Sequence, residues 1–294
     1  MTLNSHVLPM PGAGSPPRGE EAPTLVIEPS PRFPRLGLRE LWAYRGLFLF
    51  LVWRDIKVRY AQTVLGAGWA ILQPALTTVV FSVVFGLLAR VPSDGVPYPV
   101  FALTALVPWT YFASALTSSS NSLVSSTNLI TKVYFPRLVI PLAPVLAGLM
   151  DFAVAFGLLL AVMLAYGMVP SLAALAVVPL LLLCMILTAA GVGCWMSALN
   201  IQYRDVKHVV PFLLQVWMYA SPILYPASLV PERWRMLYAL NPMVGVVEGF
   251  RAALLQTRAV SWGVIAVSCA MGLVLLLTGA LYFRKAERVF ADVA

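Results

Sequence analysis

Apolar residues in this chain come in long unbroken runs separated by short polar stretches. Six runs approach or exceed the roughly 20 residues that a helix needs to cross a bilayer: about Gly68 to Ala89, Pro99 to Val124, Leu138 to Tyr166, Leu172 to Leu199, Val209 to Leu229 and Trp262 to Phe283. In lipid a segment must satisfy its own backbone polar groups, and no run shows the ten-residue alternation of barrel strands, so the runs predict helices. The expected fold is an all-α membrane protein with six transmembrane helices.

Two stretches depart from that pattern. Residues 35–60, RLGLRELWAYRGLFLFLVWRDIKVRY, hold an uninterrupted apolar run of only eight residues, Gly46 to Trp53, with charges crowding both ends. Such a segment is too short to span, and its Trp, Phe and Leu beside Arg and Lys predict an N-terminal interfacial helix in the headgroup layer. The second, PERWRMLYALNPMVGVVEGFR from Pro231 to Arg251, has an uncharged stretch of twelve residues, Met236 to Val247, interrupted by Asn241 and Pro242. Apolar segments of roughly 10 to 14 residues are more often re-entrant than spanning, and Asn-Pro breaks a helix where a hairpin turns. The pattern therefore predicts a re-entrant helical hairpin between the last two spans, dipping in from the outer side, with Arg233, Arg235 and Arg251 at the outer headgroups.

Residues 1–34 contain eight prolines and no apolar core of the kind a signal peptide needs, so they are expected to form a disordered cytosolic tail. The expected organisation is a tail over 1–34, the interfacial helix over 35–60 and a six-helix transmembrane domain over 61–294. Composition agrees: of 294 residues 60% are hydrophobic and 11% charged, against roughly 25% charged in soluble domains, which excludes a water-soluble globule. The net charge of +8 forms no patch suited to nucleic acid and acts as a topology signal. With a cytosolic N-terminus, the basic residues before the first span, together with Lys132, Arg137, Arg204, Lys207, Arg284, Lys285 and Arg288, all lie inside. Only Arg90, Arg233, Arg235, Arg251 and Arg258 lie outside. That bias predicts both termini in the cytosol.

Cysteine and histidine offer little. Cys184 and Cys194 sit ten residues apart on one expected helix, about 15 Å, so neither a disulfide nor a zinc site is implied by Cys184, Cys194 and Cys269. His6 and His208 are the only histidines, and no metal site or catalytic group is expected.

Three stretches carry a family resemblance: RDIKVRYAQTVLGAGWAILQP (Arg54 to Pro74), NLITKVYFPRLVIPL (Asn128 to Leu142), and the pair NIQYRDVKHVVPFLLQVWMYASPILYP (Asn200 to Pro226) with ALNPMVGVVEGFRAALL (Ala239 to Leu255). Their order resembles that of the membrane (permease) subunits of type-2 ABC exporters that move lipid-linked polysaccharide such as O-antigen or teichoic acid. The resemblance implies a multi-pass permease of the bacterial plasma (inner) membrane acting as two copies with two cytosolic ABC ATPases. The cargo it implies is a polyprenyl-linked polysaccharide taken to the outer leaflet. ATP and magnesium would sit on the ATPase, for this sequence has no GxxxxGK[ST] phosphate loop. It also implies an outer gate that includes Arg233, Arg235, Asn241, Pro242, Glu248 and Arg251.

The loop Asn128 to Arg137 reads as a compact lever between two spans, with Asn128 as N-cap, a helical run from Leu129 to Tyr134, and Pro136 as its stop. In the resembling family this place docks on the ATPase, which assigns the coupling contact to Leu129, Lys132, Tyr134, Phe135 and Arg137. For the translocation path the candidates are Ser114, Ser118 and Ser122 at helical spacing, the aromatics Trp109, Tyr111, Phe112, Trp217 and Tyr219, and Asp151. Each has two readings. The serines line a wet path or let helices approach closely; the rings stack on sugar or serve as belt and packing residues; Asp151 makes a structural hydrogen bond or serves translocation. No basic residue is expected at the depth of Asp151, so its partner should be a hydroxyl or a water. Two other functions remain in view: a permease of the same fold exporting a drug or small lipid, and a membrane polyprenyl-phosphate glycosyltransferase. The last would gather acidic residues near the surface, yet Asp55, Asp205 and Glu248 lie far apart in the sequence.

Overall fold

The structure is a computed structural model, and it describes residues 38–61, 68–127, 129, 135–203 and 205–287. Residues 1–34, expected to be a disordered tail, lie outside them. All regular elements among the described residues are helical. Helices α1 (Leu38–Ala43) and α2 (Arg45–Tyr60) divide at Tyr44. Then come α3 (Gly68–Phe81), which widens into π-helical turns over Ser82–Leu88, α4 (Tyr98–Ser125), α5 (Val139–Ala147), α6 (Leu149–Ala165) and α7 (Leu172–Gln202). The chain continues through α8 (Val206–Tyr219), α9 (Glu232–Tyr238), α10 (Pro242–Leu255) and α11 (Trp262–Ala286).

Five helical stretches among the described residues are long and apolar enough to cross a membrane: Gly68–Leu88, Tyr98–Ser125, Val139–Ala165, Ala174–Gln202 and Trp262–Ala286. The chain is thus a multi-pass membrane protein. The remaining expected span, Val209 to Leu229, differs in form. Helix α8 has 14 residues, about 21 Å at 1.5 Å per residue, short of the roughly 30 Å hydrocarbon core. After Tyr219 the chain turns through Pro222 and Pro226, two residues that cannot donate to a continuing helix.

Helix α4 sits at the centre, with Phe101, Leu103, Leu106, Phe112 and Leu116 almost wholly buried, flanked by α7 and α10. Its polar residues explain part of its burial. Ser119 donates to the Pro141 carbonyl at 2.7 Å, and Asn200 of α7 donates to the Ser120 carbonyl at 2.9 Å, so a hydroxyl ties α4 to α5 and an amide ties α7 to the α4 backbone. Helices α7 and α11 make the most extensive contact, and two glycines permit it: a Cβ on Gly279 would collide with the Gly191 carbonyl. Replacing Gly279 with leucine is therefore expected to lower stability by about 3 kcal/mol. Thermal unfolding of the solubilised protein would register it as a clear fall in Tm. Gly263→Ala, where nothing lies within 4 Å of the new Cβ, should leave Tm in place.

The same helix pair corrects one expectation. Cys184 of α7 and Cys269 of α11 are joined as a disulfide with their Cα atoms 5.0 Å apart, leaving Cys194 free and buried. Spacing along one helix says nothing about a cysteine 85 residues away. Only the packing of α7 on α11 brings the two together.

Candidate functional site

A cavity of about 580 Å³ opens between the end of α2, α3, α4 and α6, with Met218 of α8 at its side. Helix α4 supplies one face at helical spacing: Trp109 with Ala113 and Thr117, and Thr110 with Ser114 and Ser118. Helix α3 supplies Trp69, Gln73 and Thr77, four residues apart on its own face. The two hydroxyls of Thr110 and Thr117 bond back to their own helix, to the carbonyls of Val107 at 3.1 Å and Ala113 at 2.8 Å. Ser114 and Ser118 have no hydrogen-bond partner among the described residues, so their hydroxyls are free for a ligand or water. The wall thus holds the exposed indole of Trp69 and the buried one of Trp109 beside these hydroxyls.

Asp151 lines this cavity from the first turn of α6, where its carboxylate forms an ion pair with Arg59 and accepts a hydrogen bond from Tyr60. The hydroxyl partner was expected; the cation was not. Arg59 belongs to the segment assigned to the headgroup layer, yet α2 packs along α5, with Leu51 against Val139 and Ala143, and its last turn reaches Asp151. Burial raises the Tyr60 hydroxyl to about 12, with the hydrogen bond to Asp151 and its charge adding to the effect, so it remains a donor. Arg59 and Asp151 are the only charged groups among the described residues of the lining.

The structure brings together Trp109, Tyr111, Ser114, Ser118 and Asp151 out of the candidates for a path, and separates the rest. The Tyr111 hydroxyl is spent on the Val145 carbonyl at 3.0 Å. Ser122 is buried away from the cavity, donating to the Ser119 carbonyl at 2.7 Å, which favours the packing reading for that residue. Phe112 is fully buried, edge-on to Trp217 with centroids 5.0 Å apart, while Tyr219 is half-exposed elsewhere. Arg59, Tyr60, Trp69, Gln73 and Thr77 were not singled out from the sequence. The four-residue spacing of Trp69, Gln73 and Thr77 within an apolar run was the available signal; Arg59 lies in the Arg54 to Pro74 stretch that carries the family resemblance, but nothing there marks it as a partner of Asp151.

Between α8 and α11, α9 and α10 form two helices broken at Asn241–Pro242. Asn241 caps α10, accepting from the Met243 N–H at 3.1 Å and from the Trp217 indole at 2.7 Å, and donating to Ser221 Oγ at 2.9 Å. Arg233 and Arg235 are exposed or partly so, but Arg251 is not at the surface as expected: it is 5% exposed. Its guanidinium donates to the carbonyls of Pro222 at 2.5 Å, Ile223 at 2.9 Å and Tyr225 at 3.1 Å, lies 3.6 Å from the Phe101 ring centre and pairs with Glu248 at 3.3 Å. Carbonyls exposed where α8 ends need donors, and an arginine fork on the neighbouring helix supplies them. A second cavity of about 170 Å³ lies beside it, lined in part by Asp94, Arg235, Tyr238, Glu248 and Arg258.

At the opposite end, Lys132 and Tyr134 of the loop lie outside the described residues. Phe135, assigned to a partner contact, is turned inward and only 4% exposed, packed with Leu123, Leu138 and Cys194. Leu129 touches that cluster and also the one formed by Leu51, Val139 and Ala143. Arg137 donates from its backbone to Glu287 Oε1 and from its side chain to the Glu287 carbonyl, both at 3.3 Å; Arg284 joins Glu287 to Glu40 of α1. The loop exit, the end of α11 and the first helix thus meet in one ionic layer.

The profile described as ABC-2 type transporter matches residues 46–255. The chain belongs to the ABC-2 type transporter family. Among curated relatives, an O-antigen export system permease protein RfbA of Myxococcus xanthus is 30% identical over 258 residues, covering 87% of this chain and 98% of the relative. A protein of the same name from Klebsiella pneumoniae is 30% identical over 247 residues, 84% of this chain and 94% of its own. A polysialic acid transport protein KpsM of Escherichia coli is 28% identical over 243 residues, 81% of this chain and 92% of the relative. As an ABC-2 type transporter the chain is a transport membrane subunit.

Proposed function

We propose that this chain is the permease of an ATP-driven exporter that moves lipid-linked polysaccharide of the O-antigen, teichoic acid or capsule type across the bacterial plasma membrane. The near full-length match to relatives named for O-antigen export carries this reading. The cavity supports it, because the exposed Trp69 indole suits stacking on the CH surface of a sugar ring while Ser114, Ser118 and Gln73 offer hydrogen bonds to hydroxyls.

In this reading two copies assemble with two cytosolic ATPases that hold ATP and magnesium. Both termini are cytosolic, in line with the basic-residue bias. Helix α8 with the turns after it makes the fifth of six crossings, α1 and α2 lie at the cytosolic interface, and α9 with α10 dips in as the outer gate, braced by Asn241 and Arg251. The loop 128–137 takes the push of the ATPase. Deleting the gene is expected to remove polysaccharide from the cell surface and leave the lipid-linked chain at the inner leaflet, with rescue by the wild-type gene. Surface polysaccharide undiminished in the deletion strain would refute the reading.

A further inference from the structure

We infer that the cavity selects an uncharged glycan and disfavours a polyanionic one, an inference that rests on the export reading above. Three observations carry it. First, the described lining holds one cation and one anion, Arg59 and Asp151, and they are paired with each other, so the wall is electrically neutral. Second, every other described residue on that wall is apolar, aromatic or an uncharged hydrogen-bonding group, including Trp69, Trp109, Gln73, Ser114 and Ser118. Third, the remaining cation-rich place near the route, the outer cavity with Arg235, Arg251 and Arg258, also carries Asp94 and Glu248, with Arg258 on Asp94 at 3.1 Å and Arg251 on Glu248 at 3.3 Å.

A chain bearing a carboxylate on every residue leaves water poorly unless the wall supplies compensating cations, because an anion in a low-dielectric passage loses hydration that hydroxyls alone do not replace. Here the single arginine among the described lining residues is already occupied. Asp151 acts as the counter-ion that prevents Arg59 from recruiting carboxylates, and the pair keeps the hydrogen-bonding wall open to neutral sugars.

The test uses full-length protein in lipid nanodiscs, with fluorescence anisotropy of two end-labelled probes of equal length, a mannose oligomer and a polysialic acid oligomer. The wild type should bind the mannose oligomer at least tenfold more tightly. Asp151→Asn frees the guanidinium and should shift the ratio about tenfold toward polysialic acid, the effect of one added charged contact, with the shift fading at high salt. Arg59→Gln leaves a bare carboxylate and should widen the ratio. Arg59→Gln combined with Asp151→Asn should return it toward the wild-type value, which a purely structural role for the pair does not produce. Equal or tighter binding of polysialic acid by the wild type, or a ratio unmoved in both single variants, overturns the inference while leaving export in the cell intact. Wild-type protein that binds neither oligomer also overturns it, and the gene deletion then decides the export reading separately.

Discussion

Arg251→Met should cost about 3 kcal/mol or more of stability, because removing one partner of a buried charged network leaves the others unpaired. Three carbonyls, of Pro222, Ile223 and Tyr225, take hydrogen bonds from this guanidinium, and Glu248 loses its cation as well. Methionine fills similar volume beside Phe101 but donates nothing. The turn after α8 should then come loose from α10, with a lower Tm and a proteolytic cut appearing between Ser221 and Leu229. Arg251→Lys keeps the charge and part of the bonding, so its loss should be smaller. Because the fork geometry matters, lysine should not restore the wild-type Tm. An Arg251→Met protein with unchanged Tm would mean that the clamp contributes nothing.

Leu129→Pro and Arg137→Glu should each cut export to below a tenth of wild type while the protein still inserts. A proline at 129 removes a backbone donor, and the lost side chain no longer joins the cluster around Phe135 to the one around Leu51. Glutamate at 137 sets a second carboxylate against Glu287, where Arg137 now bonds. Repulsion there would separate the loop exit from α11 and from Glu40 of α1, through which the ionic layer continues. Surface polysaccharide and membrane-fraction immunoblots measure the two halves of the outcome. Export near wild type in both variants would remove this loop from the coupling path.

Part of the site was legible in the sequence. Serines 114 and 118 lie four residues apart, and that spacing alone puts them on one helix face, where the cavity has them. Ser122 continues the same row yet is buried, since the face turns into contact with α7 further along α4. Asn241–Pro242 was readable as a break because Asn caps and Pro starts helices irrespective of what surrounds them. Phe135 was not readable: an aromatic in a polar loop looks exposed until the helices around it are known.

By itself the sequence determined what depends on composition and local backbone chemistry. Long apolar runs and the absence of alternation required membrane helices, and the Asn241–Pro242 pair set where α9 gives way to α10. What depends on which helices touch belonged to the tertiary structure. It decided that Arg59 meets Asp151 across 92 residues of chain, that Arg251 turns inward to three carbonyls, and that Cys184 meets Cys269. Each pairing joins groups from separate parts of the chain, two of them across helices and one from a helix to the turn after α8. A helix's own sequence gives its length and its faces, but the partner that satisfies a buried polar group is chosen by close packing of the whole bundle.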